Sequence, residues 1–185
     1  MSVIIWRHPK PINAAGICLG HTDLAVDARR TRNLAYKVQQ EARARQLAPI
    51  IHVSPLQRSR GVGEFLQAQG WQVKVDPLLI EFNFGAWDGL PWEQIDRHEM
   101  DSWCGNFADY APGGAENLKQ LFSRVENWLS RTASETRLVI GHAGWINAAL
   151  MISKNKPLPT SSKHWSSSVN YGKKSVLMLN RGSYA

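Results

Sequence analysis

Two histidines, two arginines and a glutamate are the residues of this chain best suited to chemistry, and each comes just after a short apolar run. Arg7 and His8 follow SVIIW (2–6), while Ser54 and, one helical turn on, Arg58 follow PIIHV (49–53). Glu81 lies beyond QVKV (72–75), and His142, then Ala143 and Gly144, come after RLVI (137–140). A guanidinium stays charged, and its fork matches the oxygens of a phosphate. An unperturbed imidazole titrates near pH ~6.5, so a neutral ring nitrogen is available as a nucleophile at neutral pH. A carboxyl group can protonate a leaving alkoxide and then deprotonate an attacking water, help worth about 10²–10⁴-fold. These are the needs of a phosphate monoester, whose transfer rests on positioning and electrostatics. Arg7 and Arg58 suit the oxygens, the histidines suit the attack on phosphorus, and Glu81 suits the proton. Asp88 and Glu116 stand as alternative proton donors. The sequence contains no obvious carboxylate-rich cage for a metal, and the chemistry asks for no metal or cofactor.

The elements that must position these residues are legible from periodicity. The apolar runs read as strands at 2–6, 49–53, 72–75, 137–140 and 175–179. A helix is expected over 27–47, where Leu34, Val38 and Ala42 recur at helical spacing. Ser54-Pro55 reads as an N-cap and first-turn proline opening a second helix that runs to about Gly70. A loop with Gly85, Gly89 and Pro91 leads to a short helix after Pro91, and 101–114 reads as irregular. Leu118, Leu121, Phe122, Val125, Trp128 and Leu129 form one apolar stripe within 115–133, the clearest amphipathic helix in the sequence. A further helix covers 145–152. Strands alternating with helices predict a single α/β domain over 1–185, a three-layer α/β/α sandwich on a mostly parallel sheet. In such sheets, sites form outside the carboxyl ends of the strands, where the five residues above fall.

Six segments in order resemble the histidine phosphatase, or phosphoglycerate mutase-like, superfamily. They are Ile5-Trp6-Arg7-His8, Gly20-His21-Thr22-Asp23-Leu24, the Ser54–Arg60 stretch SPLQRSR, the Glu81–Gly89 stretch EFNFGAWDG, Pro112-Gly113-Gly114-Ala115-Glu116, and Ile140-Gly141-His142-Ala143-Gly144. The resemblance implies that His8 becomes phosphorylated, that Arg7, Arg58 and His142 surround the phosphate, and that Glu81 is the proton donor. It also brings Asn13, His21, Thr22 and Lys10 forward as substrate contacts. The short chain, the spacing of Gly16–Gly20 and the form of the Glu81–Trp92 segment resemble the α-ribazole phosphatase branch. That points to net hydrolysis of α-ribazole 5′-phosphate in cobalamin nucleotide-loop assembly. Broad-specificity phosphatase, sugar bisphosphatase, mutase and protein phosphohistidine phosphatase belong to the same chemistry. Outside it stand an anion-binding protein and a nucleic-acid binder. The chain departs from the family pattern in Pro9, where the family has Gly; proline removes an N–H from that position. Ala14 stands where Asn is common, with Asn13 one residue early, and Lys10 adds charge nearby.

Composition limits the remaining readings. With 185 residues, 43% hydrophobic and 20% charged, the chain is long and apolar enough to bury a core without staples. No apolar run reaches the length of a membrane span. The opening lacks the basic region of a secretory signal. Two cysteines, Cys18 and Cys104, without CxxC spacing give neither a disulfide framework nor a zinc ribbon, and a reducing cytoplasm is the expected compartment. The net charge of +7 and pI near 9.7 favour anionic partners. The basic residues Arg29, Arg30, Arg32, Lys37, Arg43 and Arg45 are spread as on a solvated helix face, which argues for a small phosphorylated substrate over nucleic acid or membrane. A second copy of the chain is also left open as a partner. Trp87 and Trp92 are candidates either for an apolar wall against a flat substrate or for core packing. His52 reads as a core residue, and His98 and His164 as surface.

Overall fold

The computed structural model describes residues 2–131 and 135–179. Five strands form one sheet in the order β3-β2-β4-β1-β5. They are β1 (Ser2–Arg7), β2 (Ile50–Val53), β3 (Gln72–Val75), β4 (Arg137–Gly141) and β5 (Lys174–Met178). The first four run parallel, and β5 pairs antiparallel with β1. The helices are α1 (Ala28–Ala44), α2 (Gln57–Gln67), α3 (Arg97–Gly105), α4 (Leu118–Ser130) and α5 (Ala143–Ser153).

Alternation along the strands sends side chains to two faces, which explains the three layers. Ile4, Trp6, Ile51, Val53, Leu138 and Ile140 pack with buried residues of α1 and α2. Val3, Ile5, Val139 and Leu177 pack with the apolar stripes of α4 and α5. The α/β sandwich expected from periodicity is therefore present, with helices on both faces of a mostly parallel sheet. The basic side chains of α1 lie on its exposed side.

Two expectations need correction. The second helix begins at Gln57, with Leu56 as N-cap, and not at Ser54-Pro55. Ser54 Oγ is engaged elsewhere: it accepts the Leu56 amide at 3.3 Å and meets His142 Nε2 at 2.6 Å. The cap comes instead from a distant loop, where Asp23 Oδ1 accepts the Gln57 amide at 2.7 Å. The second correction concerns 101–114, which is not irregular throughout, because α3 covers its first five positions. Asp96 caps α3 by accepting the His98 and Glu99 amides. The helix buries no residue, so it carries no stripe to read. After Pro91 the chain makes a single 3₁₀ turn, Trp92–Gln94.

Sheet register brings the site together. Arg7 lies opposite Gly141, and Val53 opposite Ile140. The residues that follow, His8, His142 and Ser54, must then emerge side by side at the carboxyl edge.

Candidate active site

His8 and His142 face each other with ring centroids 4.9 Å apart, and both are buried. His8 Nδ1 donates to the Pro9 carbonyl at 2.8 Å. That bond fixes the tautomer, leaving a lone pair on Nε2. Pro9 thus contributes an acceptor here, although it has no N–H to give. Ser54 Oγ takes the Leu56 amide hydrogen and keeps its own hydrogen, which it can give to His142 Nε2. In that tautomer the proton of His142 sits on Nδ1, a buried atom without a partner among the described residues. Burial holds both imidazoles well below their usual range, and Arg58 lowers each further. Both rings are neutral near pH 7.

Arg58 opens the first turn of α2 and is 1% exposed. Its Nη1 donates to the Thr22 carbonyl at 2.8 Å and its Nη2 to the Gly20 carbonyl. Burial pulls it below the ordinary arginine range, while Glu81, Asp23 and Asp88 oppose that pull. The loop it grips is itself held by Asp88, whose carboxylate accepts the amides of Gly20, His21 and Thr22. Gly20 is required there, because a Cβ would strike the Phe82 carbonyl. Arg7 Nη1 donates to the Val169 carbonyl at 2.8 Å, and its guanidinium carbon lies 3.7 Å from the Tyr171 ring centre. The Tyr171 ring also lies 5.5 Å from that of His8. The Nε atoms of Arg7 and Arg58 are buried and have no partner among the described residues.

Glu81 sits at the N-terminus of α5. Its Oε1 accepts the Phe82 and Trp145 amides at 2.9 and 3.1 Å, and its Oε2 the Gly144 amide at 3.1 Å. Gly144 makes this seat available, since a Cβ there would stand 2.8 Å from Oε1. A carboxylate oxygen has two lone-pair sites, so Oε2 keeps one.

Arg7, Glu81 and Tyr171 border a cavity of about 420 Å³. Its apolar wall comes from Phe84, Trp92, Trp103, Phe107 and Trp165. Trp92 thus lines the cavity, whereas Trp87 is buried with Cys18 and Ile95 and donates to Glu99. Lys10 and Asn13 are exposed and border a separate open depression of about 820 Å³, along with Arg29 and Arg30. Ala14 borders both. His21 supports the site from behind, its Nε2 donating to the Glu81 carbonyl at 2.9 Å, and Thr22 supplies its carbonyl to Arg58. Of the two alternative acids, Asp88 is occupied by three amides, and Glu116 pairs with Arg124 at 2.7 Å. Sequence reasoning missed Tyr171, Trp103, Phe107 and Trp165. Their segments lack a repeating apolar pattern, and nothing local marks them. Among the described residues, no group of three or more His, Cys, Asp or Glu side chains is placed to hold a metal, and no helix is long and apolar enough to cross a membrane.

Comparison with known proteins adds three findings. A family model described as the histidine phosphatase superfamily (branch 1) matches residues 3–181. No curated protein sequence matches. Among solved structures, the α-ribazole phosphatase from Shigella flexneri superposes with a TM-score of 0.77 at 21% identity, covering 98% of this chain and 92% of that one. A mycobacterial glucosyl-3-phosphoglycerate phosphatase complexed with VO3 gives 0.74 at 23%, covering 95% and 91%. Bacillus stearothermophilus YhfR gives 0.78 at 19%, covering 98% and 92%. At these identities the likenesses establish the phosphoglycerate mutase-like fold.

Proposed function

Because the chain belongs to the histidine phosphatase superfamily, we propose that it hydrolyses a small phosphate monoester through a phosphohistidine on His8, without a metal. The observation that carries this reading is the set of buried donors that lack partners among the described residues: Arg7 Nε, Arg58 Nε and His142 Nδ1. Buried polar groups are normally satisfied, so three such donors around a neutral histidine call for an anion. A phosphoryl group between the two arginines would accept from them and from His142. His8 Nε2 then attacks phosphorus in line, a P–N bond forms, and the ester P–O bond breaks. Glu81, carrying a proton on the free position of Oε2, gives it to the departing alkoxide. In the second step, water loses a proton to Glu81 and attacks the phosphohistidine. The P–N bond breaks, releasing phosphate and restoring the neutral imidazole.

The substrate proposed is α-ribazole 5′-phosphate. The form of the Glu81–Trp92 segment supports it, and so does the aromatic cavity beside Arg7, which suits a flat, uncharged benzimidazole. A cytoplasmic location is proposed on the same footing as the free cysteines Cys18 and Cys104.

Phosphate release from α-ribazole 5′-phosphate, glucosyl-3-phosphoglycerate and 3-phosphoglycerate, with acid and alkaline quench, tests both levels. The wild-type protein should trap an acid-labile, alkali-stable phosphoenzyme and favour the benzimidazole nucleotide. His8→Ala should lose at least about 10³-fold in turnover, as removal of a nucleophile does. Equal turnover by the two proteins would sink the mechanism. Preference for an acidic sugar ester would sink the substrate assignment alone.

A further inference from the structure

We infer that Arg124, on α4 and outside the reacting cluster, is the positioning residue for Glu81. The inference rests on the phosphatase reading above. The chain between β3 and the site has no sheet or α-helix of its own, and Glu81 follows one 3₁₀ turn, Pro77–Leu79. Something must hold the backbone of a proton donor that sits in such a segment. Arg124 meets that need with three carbonyls: its Nη1 donates to Ile80 at 2.6 Å and to Leu78 at 3.2 Å, and its Nη2 donates to Glu81 itself at 2.9 Å. Its remaining edge is pinned by Glu116, with Nε to Oε1 at 2.7 Å and Nη2 to Oε2 at 3.1 Å. Glu116 Oε2 also accepts the Asn83 amide at 3.0 Å, so the pair holds the segment on both sides of Glu81.

A planar, always-charged fork is suited to several fixed acceptors at once. Both partners are shielded, with side chains 16% and 13% exposed, so the pair is protected from solvent screening. Glu116 thus acts at one remove from the chemistry, through Arg124. Misplacement of a proton donor by about 1 Å can cost about 10²-fold, which is why a remote clamp can matter to rate.

The test separates positioning from general support of the fold. Rapid-quench phosphorylation rates are measured for wild type, Glu81→Gln, Arg124→Met, Arg124→Lys and Glu116→Gln. Each is given an alkyl phosphate, whose leaving group needs a proton, and 2,4-dinitrophenyl phosphate, whose leaving group does not. Arg124→Met should slow the alkyl ester at least about tenfold and leave the dinitrophenyl ester within about twofold, because only the first draws on general acid catalysis. Arg124→Lys should recover part of the loss. Glu116→Gln, which keeps volume and leaves Arg124 in place, should show a smaller loss of the same kind and serves if Arg124→Met does not fold. Equal losses on both esters, or none on either, would overturn the positioning role while Glu81→Gln still discriminates between them. A wild-type enzyme that forms no phosphoenzyme, or a Glu81→Gln variant that treats the esters alike, would overturn the phosphatase reading and this inference with it.

Discussion

Ser54 Oγ accepts the Leu56 amide and meets His142 Nε2 at 2.6 Å, so one hydroxyl sets which nitrogen of His142 faces the site as a donor. With Ser54 replaced by alanine, nothing selects that tautomer, and a buried ring nitrogen is left without a partner. The loss of a buried hydrogen bond costs about 1–3 kcal/mol, so Ser54→Ala should lower kcat about tenfold with little change in fold. Steady-state rates and the ¹⁵N shifts of His142 would check this; unchanged shifts would refute the tautomer argument. The residues proposed to react, Arg7, His8, Arg58, Glu81 and His142, were picked from the sequence because they follow recognisable apolar runs. Tyr171 was not. It reaches Arg7 and His8 from the segment before β5, where no periodicity fixes a side chain's direction.

Helix α2 shows how an element can be read correctly and started in the wrong place. The residues SPLQR satisfy the rules for a helix N-terminus, yet the serine serves His142 and the amide of Gln57 is capped by Asp23, 34 positions earlier in the chain. Local cap rules cannot see a cap that crosses the fold. The consequence is that Asp23 ties the Gly20–Thr22 loop to the helix carrying Arg58, while Arg58 ties itself to the same loop through two carbonyls. Removing an N-cap costs about 1 kcal/mol. For a chain of this size, Asp23→Ala should lower Tm by about 2–4 °C. It should also raise KM, because Arg58 would be less firmly aimed. Calorimetry and substrate titration check both parts, and a variant with altered Tm but unchanged KM would show that the cap supports α2 alone. Helix α3 escaped notice for the opposite reason: its cap, Asp96, is local, but it buries nothing, so no apolar stripe announces it.

At the scale of the whole molecule, three histidines are buried in a strongly basic protein. His8 and His142 are at the site, whereas His52 lies in β2, edge-on to the Trp128 ring and remote from the chemistry. Burial lowers all three, His52 to about 4, with Arg137 and Lys74 adding to its shift and Asp76 opposing it. The unfolded chain takes up protons near pH ~6.5, the ordinary histidine value, before the folded protein can. As pH falls below that value, the unfolded state binds more protons and stability declines; above it, the contribution of these neutral rings is complete. The urea midpoint should therefore fall between pH 7.5 and pH 5.5, a window set by the histidine range. His52→Gln removes one of the three groups without touching Arg7, Arg58 or either site histidine, so it should flatten that dependence while leaving turnover at pH 7.5 unchanged. An unaltered slope in His52→Gln would mean that β2 accommodates a charged imidazole, and the neutrality argued for His8 and His142 on the same ground of burial would weaken with it.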